Sequence, residues 1–300
     1  MTLKKFLMVG IVAAVLVACG DDDSSFATRP SDGSSSSVTP KSSDSETSVS
    51  SEKQGDGESS SAMTSSSSVE SSSSSSVPEG YVDPSTVVAG TMTDERDGKT
   101  YKTVTIGTQT WMAENLNYAY IGIPYNYSGY TFDSTSWCYG DNPANCTKYG
   151  RLYTWAAAMD SVGTWSTNSK GCGYGTTCSP TYPVRGICPE GWHLPTKAEF
   201  ETLFTAVGGS STAGKMLKST SGWNSSGNGT DAYAFSALPA GRRNYDGDFN
   251  YEGDRAYFWS STEGDSSGAY GMCLDYYSDS AGLGNYYKYY EFSVRCLKDE

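Results

Sequence analysis

The chain has 300 residues, a net charge of −13 and 23 tyrosines, all distributed unevenly. Residues 21–80 hold 26 serines, eleven acidic residues against three basic ones, and Phe26 as the single aromatic. That is too little apolar surface to offset the entropy of ordering, so this stretch is excluded as a folded domain. The charge divides as +2 over residues 1–20, −8 over 21–80 and −7 over the remainder, which excludes nucleic acid as a partner bound through a basic surface.

In chain order, Lys4 and Lys5 precede a 13-residue apolar run from Phe6 to Ala18. That is the pattern of a secretion signal, too short for a spanning helix. The run ends Leu16-Val17-Ala18-Cys19-Gly20, which resembles a bacterial lipobox and implies a diacylated Cys19 as a membrane anchor. Asp21, Asp22 and Asp23 follow, similar to the acidic patches associated with export to the outer face of the outer membrane. The expected organisation is a lipoprotein signal peptide and lipobox over 1–19, a disordered Ser-rich acidic linker over 20–88 and one folded domain over 89–300. The linker's root-mean-square span is about 40–45 Å.

Within the domain, Thr100 to Trp111 alternates β-favouring residues and breaks at Gly107, predicting a hairpin. Arg151 to Met159 is alanine-rich and predicts a short helix. Thr196-Lys-Ala-Glu199 is a capping box, and Phe200, Leu203, Phe204 and Val207 follow at helical spacing before Gly208-Gly209. A further short helix is expected over Ala213 to Lys218. Short strands are expected over Ala234 to Leu238, Tyr257 to Ser261, Gly271 to Tyr276 and Tyr289 to Leu297. Few helices and many short strands joined by long loops make an α+β domain.

Several stretches carry a family resemblance: Lys148 to Met159, Gly186-Ile-Cys188-Pro-Glu-Gly-Trp-His-Leu-Pro-Thr196, Phe235 to Pro239, Gly241-Arg242, Trp259-Ser-Ser-Thr262 and Phe292-Ser-Val-Arg-Cys296. In this order, from about Thr91 onward, they resemble the Fibrobacter succinogenes major paralogous domain. That family is in turn similar to the C-type lectin-like fold shared with formylglycine-generating enzymes. The resemblance implies a C-type lectin-like domain of few helices, short antiparallel strands and long loops, in a secreted or lipid-anchored setting. Fold analogy does not carry activity.

With Cys19 assigned to lipid, seven cysteines remain in an exported domain. Cys138 and Cys146 flank an Asp-Asn-Pro turn, and Cys172 and Cys178 flank Gly-Tyr-Gly-Thr-Thr, so local bridges are expected for both. Cys188 would then pair with Cys296, a long closure resembling the one that ties the ends of C-type lectin-like domains. Cys273 is left over, either a reactive or intermolecular thiol or a buried apolar residue of a core strand. The single histidine, His193, and the lack of any Cys-x-x-Cys pair argue against zinc.

No nucleophile elbow, phosphate loop or dinucleotide fingerprint occurs, and His193 reads as a packing residue rather than a catalytic base, so no catalytic residue and no enzyme activity is expected. Asp246, Asp248, Asn250 and Glu252 alternate as calcium-loop ligands do, but Tyr251 and Tyr257 occupy the positions where an EF-hand needs glycine and an acid. They remain candidates only for a looser calcium site; no other cofactor is expected. Tyr276, Tyr277, Tyr286, Tyr287, Tyr289 and Tyr290 cluster near Asp275, Asp279 and Asn285 in loop-like sequence, a composition suited to sugar stacking or protein contact. The same tyrosines at alternating strand positions would instead pack a sheet edge. The expectation is a surface-displayed lipoprotein with a non-catalytic module for polysaccharide, plant cell wall being the natural target, or for a surface protein. The alternatives are a formylglycine-generating type of enzyme and a structural envelope scaffold.

Overall fold

The computed structural model describes residues 78–120 and 136–300, with the backbone alone at 125–127 and 130–132. Cys19, the acidic residues after it and the linker as far as residue 77 lie outside the described residues. The described chain is a mixed α+β structure, mostly β. Packing begins ahead of Ala89: the Val82 N–H donates to the Ala206 carbonyl at 2.8 Å, and the Tyr233 hydroxyl donates to the Val82 carbonyl.

Strands β1 (Val88–Asp94), β2 (Lys99–Ile106) and β3 (Gln109–Met112) form an antiparallel meander. The predicted hairpin is its second half, turning at Gly107 with φ +63°. The sequence conceals β1 because it is an edge strand, almost wholly exposed, and so has no apolar alternation to show. Next come β4 (Tyr125–Tyr127), β5 (Tyr130–Phe132) and β6 (Ser136–Trp137), then helix α1 (Pro143–Tyr149), capped by the Asn142 side chain with Pro143 in its first turn.

The helix expected over residues 151–159 is half strand. Strand β7 (Leu152–Thr154) pairs with β6, and Thr154 then caps a single turn, α2 (Trp155–Ala158). A two-residue strand, β8 (Trp192–His193), leads into α3 (Lys197–Ala206), where the predicted capping box between Thr196 and Glu199 is present in both directions. Helix α4 (Ser210–Leu217) follows the two glycines.

Residues Ala234 to Leu238 are not a strand. Ala234 and Ser236 both have φ of +53°, and only Ala237 bridges to Lys218. The physical reason is Arg295, whose guanidinium draws the Phe235 and Ser236 carbonyls inward and twists the backbone away from a ladder. The remaining strands are β9 (Ala240–Arg243), β10 (Phe249–Glu252), β11 (Arg255–Glu263), β12 (Gly268–Asp275), β13 (Ala281–Tyr287), β14 (Glu291–Phe292) and β15 (Leu297–Lys298). The single strand expected over Tyr289 to Leu297 is thus two short ones that serve different sheets. Strand β13 corrects the loop reading of residues 281–287.

One sheet has the order β1-β2-β3-β15-β8 and a larger one β13-β12-β11-β9-β14-β7-β6, with β10 paired to β9, while β4 and β5 pair with each other. Strand β11 is buried along most of its length and separates two cores. Tyr257 and Trp259 point into one with Trp155 and Phe292, while Ala256 and Phe258 point into the other with Trp111, Phe200 and Leu203. Phe292 stacks on Trp259 at 4.2 Å and on Tyr257 at 4.7 Å between ring centroids, contacts worth about 0.5–1.5 kcal/mol each beyond area burial.

All three expected disulfides are present: Cys138–Cys146, Cys172–Cys178 and Cys188–Cys296. The last closes a separation of 108 residues, against 8 for Cys138–Cys146. In the loop-entropy model that is worth about 4.7 kcal/mol, against less than about 3 kcal/mol for the short loop. Replacing Cys188 and Cys296 together by serine should therefore lower the denaturant midpoint clearly more than replacing Cys138 and Cys146. Urea unfolding of the two double variants checks this.

Candidate functional site

The six candidate tyrosines do not form one cluster. Strand β12 pairs with β13 in a register running from Gly268↔Tyr287 to Leu274↔Ala281. Tyr276 and Tyr277 therefore lie at one end of this hairpin and Tyr286 to Tyr290 at the other, about 20 Å away by strand rise. Tyr276 and Tyr277 make an edge contact with each other at 5.3 Å. Tyr286 is a core residue, 2% exposed, packed edge-on to Tyr257 and Phe292. Gly284 leaves room for it, since a Cβ there would meet the Tyr286 ring at 2.7 Å. Tyr290 is also buried.

Tyr287 and Tyr289 stack at 4.9 Å and 15°. Two residues absent from the sequence-based set complete a patch around Tyr289: Tyr174 at 5.2 Å and Tyr245 at 5.4 Å. Tyr287, Tyr245 and Tyr174 are 41%, 39% and 37% exposed, so three ring systems reach solvent around a buried fourth. Tyr174 sits inside the Cys172–Cys178 loop and Tyr245 in the turn between β9 and β10. Both loops were visible in the sequence; that they converge on Tyr289 was not.

Buried charge fixes this convergence. Lys288, 1% exposed, donates to the Gly173, Thr176 and Ser266 carbonyls and to Glu263, and its Nζ lies 4.6 Å from the Trp155 ring centre. Glu263 in turn accepts the Cys178 N–H at 3.0 Å. The ion pair thereby pins the Tyr174 loop to the residue between Tyr287 and Tyr289. Beside it, Arg243 donates to Glu291 at 3.2 Å and lies 4.4 Å from the Trp137 ring centre. Burial pushes the Glu291 carboxyl well above the usual carboxylate range, against the opposing pull of Arg243.

The calcium candidates are strung along the β9–β10 hairpin. Asp246 accepts the Asp248 N–H, Asn250 accepts from the Asn244 side chain, and Glu252 is 3.9 Å from Lys148. Among the described residues, no group of three or more acidic, histidine or cysteine side chains could hold a metal ion. Cys273 is completely buried in β12, and no cysteine among the described residues is a free thiol.

His193 is held from both sides, by Asp299 on Nδ1 at 2.7 Å and by Glu199 on Nε2 at 3.0 Å. The arrangement clamps the chain beyond β15 to the start of α3.

The fold and this patch define an α+β, mostly β, disulfide-tied domain with an exposed tyrosine surface. The chain matches the Fibrobacter succinogenes major domain over residues 104–298 and belongs to that family. No curated protein and no solved structure matches it. The stretches on which the resemblance rests pack on one another or on their immediate neighbours. Ser261 bonds the Pro195 carbonyl, Thr262 accepts the Lys197 N–H, and Ser293 exchanges backbone bonds with Tyr257 and Trp259.

The clamp has a pH signature. Burial opposes charge on His193, but the hydrogen bonds and charges of Glu199 and Asp299 outweigh it and raise the pKa above 6.5. Burial likewise opposes charge on Glu199, yet His193 and the capping bonds lower its pKa below 4.5. The histidine contribution is therefore complete below pH 6.5 and lost as pH rises through the raised value; that of Glu199 is present above pH 4.5 and lost on acidification. Urea midpoints at pH 6 and pH 9 should differ more in the wild type than in His193→Asn, with the wild type more stable at pH 6 relative to the variant.

Proposed function

We propose that this protein is a lipid-anchored surface protein whose domain binds without catalysing, the tyrosine patch around Tyr289 being the contact surface and polysaccharide its target. The observation that carries the reading is the exposure of Tyr174, Tyr245 and Tyr287 around one buried ring, held by the Lys288–Glu263 pair. Rigid aromatic faces of this kind bind at low conformational cost, and stacking on sugar rings or protein contact is what they suit. The lipobox at Cys19 and the acidic residues after it support anchorage in the outer membrane facing outward. A C-type lectin-like fold is supported by the long Cys188–Cys296 closure and by β15 lying between β3 and β8 in one sheet.

A formylglycine-generating type of enzyme draws no support from Cys273, which is buried and not a free thiol. Plant cell wall polysaccharide is the proposed target, with a surface protein or a scaffold role as what remains if sugars fail. The scattered bonding of the β9–β10 carboxylates supports binding without calcium.

Purified full-length protein should sediment with at least one of insoluble cellulose, xylan or pectin, equally with calcium or with chelator. Tyr287→Ala with Tyr245→Ala should lower the apparent affinity by about tenfold, as loss of a central aromatic contact does. Tyr277→Ala, at the far end of the hairpin, should leave it unchanged. A wild type that stays in solution with every polysaccharide would overturn the sugar reading.

A further inference from the structure

A second site stands apart from the tyrosine patch. A cavity of about 350 Å³ opens between strand β2, the chain after β3 and the end of helix α1, with Lys99, Lys102, Lys148, Glu114, Asn115 and Arg295 in its lining. The size falls within the range of small-molecule sites, about 300–1,000 Å³. It exists because α1 ends in close contact with the chain after β3. Gly150 has φ +73°, and a Cβ on it would meet the Asn115 side chain and the Leu116 carbonyl within 2.9 Å. No residue of this lining belongs to the patch around Tyr289.

The charge of the cavity runs against that of the chain. Residues 81–300 are acidic overall, yet four cationic side chains meet one carboxylate here. Lys99 is bonded to Asp97 and the Asn117 carbonyl, and Lys148 lies 4.3 Å from the Tyr149 ring centre and 3.9 Å from Glu252. Lys102 has no ion-pair partner among the described residues. Arg295, 1% exposed behind the floor, satisfies its N–H groups on neutral acceptors only: the Asn115 side-chain oxygen and the Phe235 and Ser236 carbonyls. No acid is bonded to it directly; Asp231, held by Ser236, and Glu114 of the same lining act on it at longer range, so its field is only partly offset where it reaches the cavity through a low-dielectric wall. The single acid, Glu114, is turned to the Lys102 N–H at 2.7 Å.

We propose that this cavity binds a carboxylate-bearing sugar ring, a hexuronate, its carboxylate toward Lys102 and Lys148 and its hydroxyls toward the amide and hydroxyl groups between them. The cations select an anion. Asn115 and Ser236 of the lining spend their side chains on Tyr149, Ser293, Arg295 and Asp231, so Asn117 and Thr147 are left to supply the neutral hydrogen-bonding partners that a polyhydroxylated ring uses and a bare inorganic anion does not need.

Calorimetric titration of the purified full-length protein at pH 7 with tri-galacturonate, neutral galactotriose and sodium phosphate tests it. Tri-galacturonate should bind, galactotriose and phosphate should bind at least tenfold more weakly, and raised salt should weaken the complex. Lys102→Gln with Lys148→Gln should weaken tri-galacturonate binding about fivefold. Glu114→Gln should strengthen it, a gain that a purely structural role for this residue would not give. Tyr277→Ala, which belongs neither to this lining nor to the tyrosine patch, should leave it unaltered. Equal binding of the neutral and acidic trisaccharides, equal binding of phosphate, indifference to the lysine variants, or loss on Tyr277→Ala would each overturn the proposal.

Discussion

The Cys188–Cys296 bond holds the one segment on which the rest of the structure depends. Residues 286–298 begin at the end of β13, pass through the larger sheet as β14 and end as β15 between β3 and β8 of the other. Along the way the Met112 and Leu116 N–H groups bond to the Cys296 and Val294 carbonyls, and Phe292 fills the core beneath β11. Most contacts of this segment are with residues far away in sequence. Their entropic cost falls on long-loop closure, which is the cost a covalent bond near the crossing point reduces.

The same segment carries an unusual load of buried charge in Lys288, Glu291 and Arg295. Lys288 is held by backbone carbonyls and Glu263, Arg295 by the Asn115 side chain and two backbone carbonyls, and Glu291 by Arg243 on one oxygen while its other oxygen has no hydrogen-bond partner among the described residues; removing a partner from a buried ion typically costs about 3–5 kcal/mol. These groups add little net stability compared with apolar substitutes. What they contribute is position: Lys288 fixes the Cys172–Cys178 loop against Tyr289, and Arg295 shapes the 234–238 backbone that borders the cavity.

Elements with a local cause were legible in the sequence. Helix α3 is written in a capping box and an i, i+3, i+4, i+7 stripe, the β2–β3 hairpin in its glycine turn, and β11 in the continuous run Ala256-Tyr-Phe-Trp259. Elements decided by distant partners were not. The strand expected over 234–238 gave way to the demands of Arg295, and the helix expected from Arg151 began late because β7 finds partners in β6 and β14. For the site, the tyrosine-rich stretch was visible, but which of its rings face water depends on strand alternation in β13 and on Gly284. Tyr174 and Tyr245 join it only through tertiary packing. The three lysines of the cavity are scattered over residues 99–148 and form no motif.

The molecule is a disulfide-tied domain offering a hydroxyl-rimmed aromatic surface at one end of the β12–β13 hairpin, with a lysine-lined cavity elsewhere. Hydrogen–deuterium exchange of the full-length protein, with and without soluble cello- and xylo-oligosaccharides, tests whether sugars bind at the tyrosine patch. Exchange should slow in the segments 172–178, 243–248 and 284–290, with no slowing at 276–279. Protection confined to 276–279, or no change anywhere at saturating sugar, would contradict binding at the patch.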